Sequence, residues 1–240
     1  MKKSLTYLIS GALLLLSSAA LRAQSPWSVR VRATYLQTVD KSDAFTALGI
    51  NFPKDAISVD DKLIPEIDVD YAFTDTLGSE LVLTIPQTQE VSLAGVGKLG
   101  TFKHLPPTLF FQYRANPGGS FRPYVGAGVN YTLIWDNSLS VAGVPLHLDH
   151  HSVGLAGQAG VDWKIDGPWF FNLDLKRVII RSDVYAGPTS LTQARLDPWL
   201  YSAGSAISSR DFNASTPLPG PWARHFYFRA AGLIRSAHCG

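Results

Sequence analysis

The chain has 240 residues, enough for one domain or two small ones. Its apolar fraction of 46% and charged fraction of 17% are those of a folded protein and exclude a disordered chain. Three basic residues and no acidic one fall within the N-terminal signal described next, which leaves 18 basic against 19 acidic residues. The formal charge therefore gives no indication of a nucleic-acid partner.

The N-terminus has the pattern of an export signal. Lys2 and Lys3 precede the apolar run Leu8–Leu16, small residues follow, and a cleavage site lies after Ala23. Residues 1–23 are thus predicted to be a secretory signal peptide that is removed from the mature protein. The alternative, a membrane-anchor helix, is disfavoured because a span needs about 20 apolar residues.

The rest of the chain offers no disulfide and no helical span. Cys239 is the single cysteine, so an internal bridge is impossible. No later segment is apolar enough for a transmembrane helix, and any membrane span must be built from strands.

Two early segments alternate with the period of a β-strand. In 27–38 the apolar residues share one face, and Arg30 and Arg32 share the other. In 63–73 the polar face carries Glu66, Asp68 and Asp70. If the two strands are neighbours, the arginines face the acidic row, which stabilises the pair.

Six further segments continue this alternation, and the connections between them alternate in length. The segments are 80–85, 108–114, 121–135, 153–165, 169–175 and one around 196–203. Short turns are predicted at 74–78, 115–120 and 166–168, and long loops at about 39–61, 86–104, 136–151 and 178–193. This predicts an all-β fold, an eight-stranded antiparallel up-and-down transmembrane β-barrel with its long loops outside the cell.

A soluble lipocalin-like barrel is the rival interpretation. In such a barrel the apolar face of each strand would be buried inside, and the charged face would be exposed to solvent. The polar parity is too charged for a dry core, and aromatic residues such as Trp27, Trp135 and Trp169 stand at the ends of the apolar parity. Aromatic girdles of this kind are typical of outer-membrane barrels.

Several segments resemble one family. The run HLPPTLFFQYRANPGGSFRPYVGAGVNYT at 104–132 closely resembles the OmpW family of small outer-membrane proteins, as do YAFTDTLGSELVL, AGQAGVDWKID and RLDPWLY in the same order. The resemblance covers about residues 24–203. It implies a monomeric eight-stranded barrel with a narrow, largely apolar interior, which admits small hydrophobic molecules passively and releases them sideways through its wall.

The inward-facing parity supplies the candidate functional residues. Charged layers that limit water and ions are predicted from Arg30, Arg32, Glu66, Asp70 and Lys176. Val82 and Phe110 are predicted to add apolar lining, and Gly126 and Gly128 to leave free volume. An eight-stranded barrel has room for side chains or one small ligand.

A proline pair marks a candidate opening. Pro106 and Pro107 cannot donate to a strand ladder and belong at a strand start or a bulge. They are predicted to distort pairing where the fourth strand begins and to create a lateral exit.

The sequence gives only weak indications of an enzyme active site or a metal site. The cluster HLDHH at 147–151 contains metal-ligand residue types, and His150 and Ser152 share a predicted strand face. No further ligands lie at suitable spacing, and residues two apart on a strand are too distant for a nucleophile and its base. We therefore expect no enzyme activity, no metal and no cofactor.

The last residues depart from the family pattern. The predicted barrel domain, 24–205, is followed by an atypical tail, 206–240, without sustained alternation. The tail is interpreted as disordered or as the product of a frameshift near residue 205. If the tail is the native sequence, the eighth strand is expected to be short and the barrel poorly closed.

The expected location is the outer membrane of a Gram-negative cell. Expected partners are outer-membrane lipids, small hydrophobic solutes and the outer-membrane assembly machinery, with no nucleic acid. A structural or surface-interaction barrel without transport remains the alternative function, with its long loops carrying the activity.

Overall fold

The structure is a computed structural model that describes residues 26–47 and 49–211. Its strands in chain order are β1 (Trp27–Gln37), β2 (Lys41–Ser42), β3 (Phe45–Ala47), β4 (Ile50–Phe52), β5 (Ile57–Val59), β6 (Lys62–Ala72), β7 (Leu77–Thr84), β8 (Gln87–Leu93), β9 (Gly97–Leu105), β10 (Thr108–Arg114), β11 (Phe121–Trp135), β12 (Ser140–Val141), β13 (Val144–Leu148), β14 (His151–Asp166), β15 (Trp169–Val178), β16 (Arg181–Ala186), β17 (Thr189–Arg195) and β18 (Trp199–Ser208). A 3₁₀ helix, η1 (Ser209–Asp211), follows β18. The predicted signal peptide and most of the predicted tail lie outside the described residues.

Eight of these strands close into a barrel. The order is β1, β6, β7, β10, β11, β14, β15, β18 and back to β1, and every pairing is antiparallel. The predicted fold class is confirmed. Within the described residues, no helix is long and apolar enough to cross a membrane.

The four connections predicted as long loops contain the other ten strands. β8 and β9 continue β7 and β10 beyond the barrel and pair with each other, and β5 joins β8. A second sheet has the order β12, β13, β16, β17, β2, and β3 pairs with β4. Strand pairing satisfies backbone groups that an irregular loop would leave to water. The extracellular connections are therefore ordered strands that extend beyond the membrane-spanning barrel.

The period-2 alternation separates two surfaces as the sequence predicted. On β11, Val125, Val129 and Tyr131 face outward and are exposed, whereas Tyr124 and Asn130 face the interior and are buried. The same alternation runs along β1, β6 and β15. Exposed apolar residues around the whole outer wall are what a lipid environment requires.

The last strand closes the barrel completely. β18 runs to Ser208, three residues past the predicted barrel end, and pairs with β1 on one side and β15 on the other. The expectation of a short eighth strand and a poorly closed barrel is therefore wrong. Closure leaves no edge strand, whose unpaired backbone groups would cost several kcal/mol each in lipid.

Candidate functional site

The two arginines of β1 hold together the charged layer inside the barrel. Arg30 forms ion pairs with Asp70, with Glu80 at 2.7 Å and with Asp162 at 2.8 Å. This confirms that β1 and β6 are neighbours and that the arginines face the acidic row. It also adds carboxylates from β7 and β14.

Arg32 lies one inward position further up the same strand. Its guanidinium contacts Asp68 at 2.7 Å and Glu80 at 3.0 Å. Both arginines are only 2% exposed. Buried charges are tolerated when they are paired, and each guanidinium here has at least two carboxylate partners, although Arg32 Nη1 forms no hydrogen bond.

Lys176 of β15 forms the top of the charged layer. Its ammonium lies 2.8 Å from Glu66 of β6 and 2.7 Å from Asp174 of its own strand. Lys176 and Glu66 are both almost fully buried, at 1% and 2% exposed. The pair spans the lumen, because β6 and β15 are separated by β1 and β18 in the barrel.

Large side chains fill the periplasmic half of the interior below this pair. Phe110, Phe170 and Tyr124 are buried there. The Tyr124 hydroxyl donates to Asp174 at 2.7 Å, and the Arg30 guanidinium lies 5.1 Å from the Tyr124 ring centroid. A solute that enters from outside therefore meets a packed, charged floor and no straight path to the periplasm.

A cavity lies above the Glu66–Lys176 pair. Its empty volume is about 410 Å³, including the part open to solvent. Its walls are mainly apolar, and Glu66 and Lys176 are among its polar lining. The remaining lining residues are Leu36, Ile64, Val82, Thr84, Pro106, Thr108, Val178, Ile180, Pro198 and Leu200.

Apolar residues continue from this cavity toward the outer face. One buried cluster includes Ile64 and Ile180 of the cavity, Phe102 and Leu99 of β9, and Leu146 of β13. The extracellular strands thus enclose an apolar interior that is continuous with the cavity lining. Such an environment favours apolar over polar solutes.

The barrel wall is interrupted beside the cavity. β7 and β10 pair as far as Val82 and Thr108, and β8 and β9 resume pairing only at Gln87 and His104. Pro106 lies in this interval and also lines the cavity. The predicted distortion of pairing is present at the predicted position.

The opposite side of the same segment remains attached to β11. Thr108 pairs with Asn130 and Leu105 with Leu133 in one continuous register. The Asn130 side chain donates to the carbonyls of Pro106 and Pro107, both at 3.2 Å. The interruption is therefore confined to the β7–β10 seam.

The glycines of β11 have a different role from the one expected. A Cβ on Gly128 would lie 2.8 Å from Cδ1 of Phe110 and would overlap the Leu109 carbonyl. A Cβ on Gly126 would lie 2.9 Å from Cγ of Gln158. The prediction that they leave free volume is wrong, because large neighbouring side chains occupy the space above them.

The two predicted apolar lining residues lie at different levels of the barrel interior. Val82 lines the cavity, whereas Phe110 is fully buried in the packed half and does not line it. Sequence reasoning missed Glu80, Asp162 and most of the upper apolar lining. The two carboxylates could have been found, since Glu80 and Asp162 lie on the inward face of their strands.

The candidate residues for a nucleophile–base pair or a metal site do not form such a site among the described residues. Ser152 is buried and accepts a hydrogen bond from the Arg181 amide at 3.0 Å, whereas His150 is exposed and precedes β14. His151 stacks on Tyr131. Among residues 26–47 and 49–211, no group of three His, Cys, Asp or Glu side chains could hold a metal ion.

The segment after β18 ties the periplasmic turns together. Asp211 accepts two hydrogen bonds of 2.9 Å from Arg122, and Arg210 donates to Asp75 at 3.0 Å. Partial burial opposes ionisation of Asp211, but the hydrogen bonds and charge of Arg122 outweigh it and hold the pKa of Asp211 below its usual value. The contacts join the β6–β7 turn to the start of β11.

Comparisons with known proteins agree with this architecture. A protein named "Uncharacterized outer-membrane protein y4mB" from Sinorhizobium fredii is 39% identical over 188 residues, which cover 75% of this chain and 78% of that protein. The crystal structure of the outer membrane protein OprG from Pseudomonas aeruginosa superposes with a TM-score of 0.64 at 28% identity, covering 75% of this chain and 94% of that one.

A further relative is the dibenzothiophene metabolism operon protein PahQ of Pseudomonas aeruginosa, 29% identical over 193 residues, which are 78% of this chain and 90% of that protein. The model of the OmpW family matches residues 26–208, which include the whole closed barrel. The outward apolar wall, the eight-stranded closure and these matches together place the protein in the outer membrane of a Gram-negative cell. The chain belongs to the OmpW family.

Proposed function

We propose that the protein is an entry route for small hydrophobic molecules, which it releases sideways into the outer membrane. The observation that carries the proposal is the position of the cavity. It lies above a charged floor, below an apolar interior and beside the interrupted β7–β10 seam.

The energetics of the lumen support this direction. An apolar solute gains by leaving water for the cavity, and it would lose by crossing the Arg30 and Arg32 layer, where every charge is already paired. The seam at Pro106 gives a shorter way into the hydrocarbon phase. Passive movement of this kind needs neither a catalytic group nor a cofactor, and we propose no enzyme activity.

The relatives support the class of solute. One of them is named for a dibenzothiophene metabolism operon, and dibenzothiophene is a small, rigid, apolar molecule. The lining of the cavity is mainly apolar, as a ligand of this kind requires.

A pair of adjacent substitutions tests the proposal. Leu200→Trp fills the cavity, whereas Tyr201→Trp places the same side chain on the lipid face of the same strand. Both variants are compared with wild type for uptake of dibenzothiophene and of glycine into cells that lack other outer-membrane entry routes for hydrophobic compounds.

We expect Leu200→Trp alone to reduce uptake of dibenzothiophene, with glycine uptake unchanged in all three proteins. If wild type gives no more uptake than cells without the protein, the alternative of a structural or surface-interaction barrel is favoured. If both tryptophan variants behave like wild type, the cavity is not the route.

A further inference from the structure

Arg177 is unusual because it faces outward. Along the eight closed-barrel strands, all of which the structure describes, the Lys, Arg, Asp and Glu residues lie on the inward parity except this one. It shares the outward parity of β15 with Leu173 and Leu175, whereas its neighbour Lys176 faces the lumen.

The height of Arg177 places it near the outer boundary of the bilayer. β15 starts at Trp169, directly after a short periplasmic turn, and Arg177 is eight residues further along. A strand rises about 3.4 Å per residue and is tilted by about 40°, so Arg177 lies about 20 Å above Trp169. The apolar band of such a barrel is about 25 Å tall, so the backbone of Arg177 lies about 5 Å inside its outer edge, a distance that a long arginine side chain can span to reach the outer-leaflet headgroups.

No carboxylate among the described residues pairs with this charge. Arg177 forms no salt bridge with any described residue, and its Nη1, which the barrel wall covers, has no hydrogen-bond partner among them. Its guanidinium lies 5.0 Å from the ring centroid of Trp199, the residue paired with it on β18. An arginine without an anionic partner is costly at a lipid boundary, and a phosphate oxygen is the acceptor that such a boundary offers to the part of this half-buried side chain that stays exposed.

The surface on the other side of Arg177 is open. Its partner on β14 is Gly157, on which an added Cβ would meet no atom within 4 Å. Ala127 of β11 follows in the same row. The wall therefore has a shallow notch bounded by Trp199 and the Arg177 guanidinium on one side.

We propose that Arg177, Trp199 and the notch at Gly157 form a binding site for a phosphate group of the outer-leaflet glycolipid, lipid A. The arginine binds the phosphate, the indole orients the guanidinium from the opposite side, and the notch accommodates the sugar backbone next to the wall. The site is on the lipid face, separate from the cavity, and does not depend on the transport function.

The test measures binding of lipid A to the purified barrel in detergent micelles by isothermal titration calorimetry. Wild type, Arg177→Gln and Arg177→Lys are compared with bisphosphorylated lipid A and with its dephosphorylated form. Tyr113→Gln, an outward position at the periplasmic end of β10, controls for adding an amide to the lipid face.

We expect wild type to prefer the phosphorylated lipid by about fivefold, the effect of one basic residue near a lipid phosphate. Arg177→Gln should lose the preference, Arg177→Lys should keep part of it, and Tyr113→Gln should keep all of it. The wild-type comparison stands alone if the glutamine variant does not fold. A wild type without preference, a glutamine variant that retains it, or displacement of the lipid by equimolar inorganic phosphate would each overturn the proposal.

Discussion

The Lys176 ammonium donates to the Glu66 carboxylate at 2.8 Å across the barrel interior, where both side chains are almost fully buried. The two residues come from strands that are not neighbours, 110 positions apart in sequence. Their contact separates the charged, packed half of the lumen from the apolar cavity above it. The pair forms the lower boundary of the cavity, at which a solute entering from outside would stop.

Replacing one partner of this pair should be costly. Glu66→Gln keeps the shape but leaves Lys176 with Asp174 as its remaining carboxylate partner at 2.7 Å. We expect the free energy of unfolding to fall by about 3 kcal/mol, the lower end for a broken buried pair. Urea unfolding in lipid vesicles measures this change.

The matched control is an exposed ion pair. Lys98 pairs with Glu90 in the β8–β9 hairpin, and both side chains are well exposed. Lys98→Gln should change the unfolding free energy by less than about 1 kcal/mol. Equal effects of the two substitutions would show that the Glu66–Lys176 pair is not the stabilising contact described above.

The lateral exit can be tested at the prolines. Replacing Pro106 and Pro107 together with alanine restores two backbone N–H groups, of which that of residue 106 can pair across the β7–β10 seam and that of residue 107 faces Tyr131 of β11. We expect uptake of dibenzothiophene to fall, because a completed ladder would narrow the gap beside the cavity. Time courses of cellular uptake give the measurement.

Pro123→Ala is the control for this double substitution, since Pro123 lies at the periplasmic end of β11, away from the cavity. It should leave uptake at the wild-type rate. Unchanged uptake in the Pro106→Ala/Pro107→Ala protein would count against the lateral exit. It would leave the cavity test with Leu200→Trp unaffected.

Two glycine-to-alanine substitutions should have very different effects on the free energy of unfolding. Gly128→Ala puts a methyl group 2.8 Å from Phe110, and overpacking of this kind costs about 1–3 kcal/mol. Gly157→Ala adds the same methyl group where no atom lies within 4 Å, so its effect should stay within about 0.5 kcal/mol. Unfolding in urea compares them, and similar values would contradict the tight packing on Gly128.

The Asp211–Arg122 contact predicts a dependence on pH. Asp211 has a pKa below its usual value in the folded protein, so its contribution to stability is present above about pH 4 and is lost as the pH falls through the folded pKa. Asp211→Asn should destabilise the barrel by about 0.5–1 kcal/mol at pH 7, the value of a partly exposed pair.

The difference between wild type and Asp211→Asn should disappear in acid. Unfolding midpoints measured from pH 7 down to about pH 2 would show the two curves converging below about pH 4, as Asp211 becomes protonated. A constant difference across this range would mean that the carboxylate charge does not contribute. The periplasmic turns would then be held by contacts other than this ion pair.

Period-2 alternation made most of the barrel predictable from the sequence. A strand has two faces, and lipid accepts only one kind of side chain, so the apolar parity of β1, β6 and β11 had to face outward. The pairing of Arg30 and Arg32 with the acidic row of β6 followed for the same reason, because consecutive strands of an up-and-down barrel are neighbours. The proline pair located the interruption, because a missing N–H is visible in the sequence.

The contacts across the lumen could not be predicted in this way. Glu80 and Asp162 join Arg30 from opposite sides of the barrel, and closure of β18 on β1 is what brings Asp162 of β14 to the arginine. The free volume predicted at Gly126 and Gly128 also depends on contacts between strands, which the sequence does not show. Alternation says which way Gly128 faces, but the neighbouring Phe110 decides whether the space above it is empty, and that depends on the register between strands.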